Sequence, residues 1–182
     1  VSGSIFAMAG ASAAHNLICS NIVAYLHLKL NGTDCQVYGS DMKLHIASRD
    51  SFYYPDIMVH CETFNPELNA IERPSLVFEV LSPSTDQTDK REKLAAYKTV
   101  STLLEYAVVF QNQKRIDLHR RSIEQRWETI TFIGSDNLLL NSLPCGEMAV
   151  PLDKIYGRFS PPGRVKEPVE EYAAGFIIDT TT

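Results

Sequence analysis

Between residues 12 and 30 the apolar positions Ile18, Ile22, Leu26 and Leu30 recur every fourth residue, and Tyr25 broadens the stripe. That period predicts a helix with one buried face. Ser12 offers a side-chain oxygen to the first free N–H groups, so it is the expected N-cap. Asn31-Gly32 ends the helix with residues that tolerate a left-handed cap. A strand is expected near 35–38. At Met42-Lys43-Leu44-His45-Ile46 the period changes to two. This predicts a half-buried strand with Lys43 and His45 on its polar face. Residues 48–51 read as a turn. Tyr54-Pro55-Asp56-Ile57-Met58-Val59 predicts a strand opened by a proline, where the missing N–H costs least. Asn65-Pro66 and Arg73-Pro74 bracket a polar loop.

Leu76-Val77-Phe78-Glu79-Val80-Leu81 is apolar at every position but one. Such a run predicts a central strand covered on both faces, and Ser82-Pro83 ends it. A helix is expected over 88–99, with Leu94, Ala95 and Tyr97 as packing candidates. Three more strands are expected at 105–110, 115–119 and 127–132. Beyond residue 135, Pro144, Pro151, Pro161, Pro162 and Pro168 predict an irregular extension over 136–182, with one short strand near 176–178. The order helix, strands, helix, strands predicts an α/β (α+β) fold: one domain over 1–182, its core at about 5–135, built on a mixed sheet flanked by helices.

Composition narrows this picture. The chain has 182 residues, 45% of them apolar and 21% charged, so a real core is expected and disorder is not. No run approaches the ~20 apolar residues of a membrane span. The start, VSGSIFAMAGAS, lacks the basic residues and long apolar centre of a signal peptide. A soluble, cytoplasmic protein without membrane partners is therefore expected. The absence of an initial Met is expected of a chain whose short leading segment is missing or trimmed. Cys19, Cys35, Cys61 and Cys145 form no C-x-x-C pair, which argues against structural zinc and leaves reduced thiols as the expectation. The net charge of −5 argues against gripping nucleic acid by bulk electrostatics. It is compatible with a carboxylate site that is itself negative until a cation binds.

The one charge in the apolar strand carries the chemistry. A buried carboxylate is costly unless something pairs with it. Strand alternation puts Val77, Glu79 and Leu81 on one face and Phe78 and Val80 on the other. Asp56 enters the strand expected just upstream. Two neighbouring strands with one carboxylate each can share a divalent cation, and Mg²⁺ takes few carboxylates alongside water and phosphate oxygens. That is the chemistry of phosphodiester hydrolysis. Lys93, one turn into the next helix, is the candidate third element, and Tyr97 lies four residues on, on the same face. Lysine suits transition-state charge stabilisation or, with a depressed pKa, a general base; both roles stay open. Taken singly, each residue has an ordinary explanation: a Pro-Asp strand start, a buried ion-pair partner, a solvated helix lysine. Their strand-strand-helix order is what makes them specific.

These residues resemble a known group. Tyr54-Pro55-Asp56, Phe78-Glu79-Val80-Leu81-Ser82-Pro83-Ser84-Thr85, Lys93-Leu94-x-x-Tyr97 and Glu105-Tyr106 are similar to motifs of the Uma-type endonucleases, a restriction-endonuclease-like family expanded in cyanobacteria. Met8-Ala9-Gly10-Ala11-Ser12-x-x-His15-Asn16 and Ser40-Asp41-Met42-Lys43 also resemble it, so the likeness spans about 5–135. The resemblance implies a PD-(D/E)XK nuclease core with Asp56 and Glu79 as catalytic and metal-binding carboxylates. It implies Mg²⁺ as cofactor, with Mn²⁺ as a substitute, and DNA as substrate. Leu81 stands where the superfamily has its lysine. In the Uma-type pattern that lysine lies in the following helix, which maps to Lys93, with Lys90 as the nearby alternative. The fold implies that Val80 lends its backbone carbonyl to the metal. Asp41 and His15 are accessory candidates, as is Tyr97. A homodimer is expected by analogy, because duplex cutters often pair two sites by two-fold symmetry. A catalytically degenerate interaction module is the competing reading. A zinc hydrolase is weak, since no H-x-x-x-H or H-E-x-x-H spacing occurs.

Overall fold

The computed structural model describes residues 11–81 and 87–157, with the backbone alone at 87–90. Its elements are α1 (Ala13–Leu30), β1 (Cys35–Gly39), β2 (Lys43–Ile46), β3 (Ser51–Tyr53), β4 (Ile57–Cys61), β5 (Ala70–Ile71), β6 (Leu76–Leu81), α2 (Gln87–Tyr97), β7 (Glu105–Phe110), β8 (Arg115–Arg121), β9 (Trp127–Ile133), β10 (Asn137–Leu140), β11 (Met148–Pro151) and α3 (Leu152–Tyr156). The motif residues 82–85, the Lys90 side chain, Met8-Ala9-Gly10 and the strand expected near 176–178 lie outside the described residues.

A six-stranded mixed sheet, ordered β1-β4-β6-β7-β8-β9, forms the centre. Within this sheet, among the described residues, only β6 and β7 pair in parallel, and α2 lies in the crossover between them. The two sides of this sheet hold separate cores. On one side Ile18, Ile22, Leu26 and Leu30 of α1 pack on Ile57, Val59, Phe78, Val80, Ala107 and Val109. On the other, Ala96 and Tyr97 of α2 meet Met58, Val77, Tyr106, Leu44 and Ile46. Strand alternation thus divides β4 and β6 between the two cores as expected. The α+β architecture expected from the sequence, a central mixed sheet flanked by helices, is the one observed.

Several local expectations need correction. The alternating segment at 43–46 does form a strand, but in a second, three-stranded sheet, β3-β2-β5, whose Leu44 and Ile46 pack on the α2 side of the main one. β4 begins at Ile57, two residues after Pro55, because the ladder with β1 ends at the pair Gly39↔Ile57. Asp56 therefore sits at the mouth of the strand rather than inside it. Gly32, not Asn31, takes the left-handed conformation after α1. On α2 the buried alanine is Ala96, and Ala95 faces solvent. Lys93 and Tyr97 define the inward face, and Ala95 lies roughly 200° around the helix from Tyr97.

The extension from 136 is not irregular through residue 157. β10 and β11 form an antiparallel hairpin, and α3 follows directly. Leu138, Leu140, Met148, Val150, Leu152, Ile155 and Tyr156 join the α1-side core. Pro144 falls in the hairpin connection and Pro151 closes β11, so neither interrupts a ladder. The expectation of four reduced thiols also fails. Cys35 and Cys61 face each other across β1 and β4 and are joined as a disulfide. Their 26-residue separation hides a contact that antiparallel pairing creates. Cys19 and Cys145 remain free.

Candidate active site

The pairing of β4 with β6 creates the site. Their antiparallel register places Ile57 opposite Phe78. The residue before Ile57 then lies beside the residues after Phe78. Asp56 meets that strand directly: the Val80 N–H donates to Asp56 Oδ2 at 2.7 Å. Asp56 Oδ1 faces His15 Nε2, 3.2 Å away on α1. Ser12 caps α1 by accepting from the His15 N–H, as expected, which sets the first turn and so the imidazole.

Glu79 is 6% exposed and projects toward α2. The Tyr97 hydroxyl donates to its Oε1 at 2.7 Å, and Lys93 Nζ donates to its Oε2 at 3.2 Å. The i, i+4 spacing of Lys93 and Tyr97 is what lets one helical face hold both carboxylate oxygens. Tyr97 is itself wedged edge-on between Tyr53 and Tyr106. Arg121 anchors the far end of α2 by donating to the carbonyls of Lys98, Val100 and Ser101, a favourable place for a cation.

Burial pushes the Glu79 carboxyl up to about 7; Asp56 adds to the rise, while Lys93 and Tyr97 oppose it. Burial, and then Glu79, holds the Tyr97 phenol well above its usual range, so it remains a donor. His15 is raised, chiefly by its hydrogen bond to Asp56, against the effect of burial; Asp56, Glu79 and the Val80 backbone all contribute. Cys19, whose Sγ lies 3.6 Å from His15 Nδ1, is pushed up to about 12 by burial and then by Asp56 and Glu79. In the metal-free protein it is a thiol.

The structure thus brings together Asp56, Glu79, Val80, Lys93, Tyr97 and His15. Asp41 is exposed in the turn after β1, whose last pair, Gly39↔Ile57, adjoins Asp56, and it forms no hydrogen bond or ion pair with any described residue. That turn leads into the second sheet. One participant escaped the sequence reading. Gln111, buried just beyond β7, donates from Nε2 to the Leu81 carbonyl at 2.9 Å and accepts from Ser12 Oγ at 2.7 Å. It fastens the end of β6 to the start of α1. A lone glutamine after an apolar strand gives no signal of this.

The donor set suits a hard divalent cation. Asp56 is held against the Val80 backbone, and Glu79, the adjacent residue of that strand, is near enough for the Asp56 charge to raise its carboxyl, an unfavourable proximity that a cation would relieve. Asp56, Glu79 and the Val80 carbonyl are the residues that could hold it.

Residues 1–151 match the family Uma2, described as "Putative restriction endonuclease". An uncharacterized protein of Synechocystis sp. (strain ATCC 27184 / PCC 6803 / Kazusa), sll1609, is 34% identical over 140 residues, covering 75% of this chain and 78% of that one. A second uncharacterized protein of the same strain, slr1290, is 32% identical over 142 residues, covering 78% and 75%. The crystal structure of a "putative nuclease belonging to DUF820" from Anabaena variabilis ATCC 29413 superposes with a TM-score of 0.67 at 17% identity, over 86% of this chain and 87% of that one. That likeness shows a shared fold. The match over most of the chain, together with the two relatives, shows that this protein belongs to the Uma2 family of restriction-endonuclease-like proteins.

Proposed function

We propose that the chain is a Mg²⁺-dependent DNA endonuclease, with Mn²⁺ able to substitute, whose lysine has moved from the strand to the following helix. The observation that carries this reading is the β4–β6 register, which sets Asp56 beside Val80 and Glu79 while α2 delivers Lys93 to the Glu79 carboxylate. When bound, the cation would polarise the phosphoryl oxygens, lower the pKa of attacking water and shield the departing oxygen. The chain's own residues do the rest. Val80 N–H and His15 fix the rotamer of Asp56. Tyr97 fixes that of Glu79. Lys93 stands where it can steady negative charge on phosphorus or receive the proton of the attacking water. Hydrolysis then forms one P–O bond to water and breaks one to the nucleotide. No described helix is long and apolar enough to cross a membrane. The reading includes a cytoplasmic homodimer cutting both strands of a duplex.

A second reading, a degenerate nuclease fold used for interaction, draws on the net charge of −5 and on how the described arginines are used. Arg115 pairs with Asp117, Arg120 with Glu105, and Arg121 with backbone carbonyls, so those three offer little to a phosphate backbone.

Supercoiled-plasmid nicking decides between the two. The wild type is expected to nick with Mg²⁺ or Mn²⁺ and to stop in EDTA, and Asp56→Ala is expected to fall to background. Lys93→Ala is expected to lose on the order of 10²–10³ in rate while still binding the ion, as removal of a charge-stabilising group does elsewhere. Absence of nicking by the wild type in both ions leaves the interaction reading standing. Equal nicking by wild type and Lys93→Ala removes Lys93 from the mechanism.

A further inference from the structure

We infer that His15 is a direct ligand of the cation in this site, and that its nitrogen makes the site prefer Mn²⁺ to Mg²⁺; this rests on the metal-site reading above. The first observation is spacing. His15 Nε2 stands 3.2 Å from Asp56 Oδ1. Adjacent ligands of an octahedral ion bound at ~2.1 Å are ~3 Å apart. The imidazole and the carboxylate are thus already spaced as two neighbouring corners of one coordination shell.

The second observation is how firmly His15 is placed there. Ser12 caps the turn that carries it, and Gln111 ties Ser12 to the Leu81 carbonyl at the end of the Glu79 strand. Helix α1 and strand β6 therefore hold a common register at this point. His15 Nε2 and the Val80 N–H meet the two oxygens of one Asp56 carboxylate, so the imidazole stands beside the β6 backbone.

The third observation concerns the other ring nitrogen. Ligating histidines direct their second N–H to a partner that fixes the ring. His15 Nδ1 has such a partner in Cys19 Sγ, one helical turn on and 3.6 Å away. On binding, Nε2 releases its proton and gives its lone pair to the ion, and Nδ1–H points at sulfur. His15, Cys19 and Asp56 are, among the described residues, the group of side chains close enough to enclose an ion. Imidazole is a poor partner for Mg²⁺ and a good one for first-row transition ions, so it shifts selectivity toward Mn²⁺.

The ordinary alternative is that His15 only hydrogen-bonds Asp56 and orients it. Pulsed electron paramagnetic resonance on the metal-free full chain loaded with Mn²⁺ separates the two. A ligating His15 gives an imidazole ¹⁴N modulation on the Mn²⁺ signal. It is expected to vanish in His15→Gln and in His15→Ala with Mn²⁺ still bound. In calorimetric titrations the wild type is expected to bind Mn²⁺ at least ~10-fold more tightly than Mg²⁺, and His15→Gln to close most of that gap by losing Mn²⁺ affinity. Bound Mn²⁺ with no nitrogen coupling in the wild type, or an unchanged gap in His15→Gln, overturns the inference and leaves the carboxylate site intact. Failure of the wild type to bind Mn²⁺ at all overturns the metal-site reading and this inference with it.

Discussion

Glu79→Gln is expected to abolish metal-dependent cleavage and, in the metal-free protein at alkaline pH, to raise the melting temperature. The two effects share a cause. Burial lifts the Glu79 carboxyl from its ordinary 4.5 to about 7, so the fold favours the protonated form. For a group whose pKa rises on folding, the stabilising contribution is complete below the unfolded value and disappears as pH climbs through the folded one. Without metal, the wild type should therefore lose stability between about pH 5 and pH 8. Glutamine is close in shape and never ionises, so it escapes that loss. The melting temperatures of variant and wild type should nearly coincide at pH 5 and differ by ~3 °C or more at pH 8.5, the variant being higher. Saturating Mn²⁺ should reverse the order, since an ion that binds only the folded wild type stabilises it by mass action. Lys93 loses its contact with a carboxylate at Glu79 in the variant, but it is a quarter exposed and water screens the loss. Differential scanning calorimetry at the two pH values, with and without Mn²⁺, checks this. A gap independent of pH would show that Glu79 is not the titrating group.

How much of this was legible depended on the range of the signal. The α1 stripe, the buried β6 strand and the odd charge within it are patterns of near neighbours, and period alone exposes them. The association of Asp56 with Glu79 was reachable because β4 and β6 are neighbours in the sheet and each carries a single carboxylate. Lys93 and Tyr97 were reachable because four residues make one helical turn. What stayed hidden depends on pairings that sequence distance conceals. Cys35 and Cys61 meet only because β1 and β4 are antiparallel, with two strands of the second sheet between them in the chain. Gln111 acts through a serine 99 residues away. The hairpin at β10 and β11 carries the same alternation as β2, in Leu138, Leu140, Met148 and Val150, but Pro144 and Pro151 beside it are residues that ordinarily break a ladder.

Glu105→Ala is expected to cost about 3–5 kcal/mol of folding stability, the loss typical of breaking a buried ion pair by removing one partner. Glu105 is 1% exposed and gathers four contacts on one carboxylate. Arg120 Nε on the neighbouring strand donates at 2.7 Å, the Asn141 N–H reaches both oxygens at 3.1 Å, and the Ser142 N–H donates at 3.0 Å. Removing the side chain leaves a half-sequestered guanidinium and two backbone donors without their acceptor. It also releases the segment after β10 from the sheet, although that segment supplies much of the α1-side core. A chain of this size should melt about 10 °C lower, or more. Glu105→Gln keeps the shape and one good acceptor, so its loss should be smaller. The double variant with Arg120→Ala should fall short of the sum of the single effects, because the two residues share one interaction. Function should behave differently. In β7, Glu105 pairs with Leu76 and Val108 with Glu79, so Glu105 lies three residues, roughly 10 Å, along the strand from the carboxylate site. Well below the melting temperature, the Mn²⁺ affinity of Glu105→Ala should match the wild type. The Glu105-Tyr106 motif would then belong to the architecture that aligns β6 with β7, and the chemistry would stay with Asp56, Glu79 and Lys93. A variant that keeps its melting temperature but loses the ion would reverse that assignment.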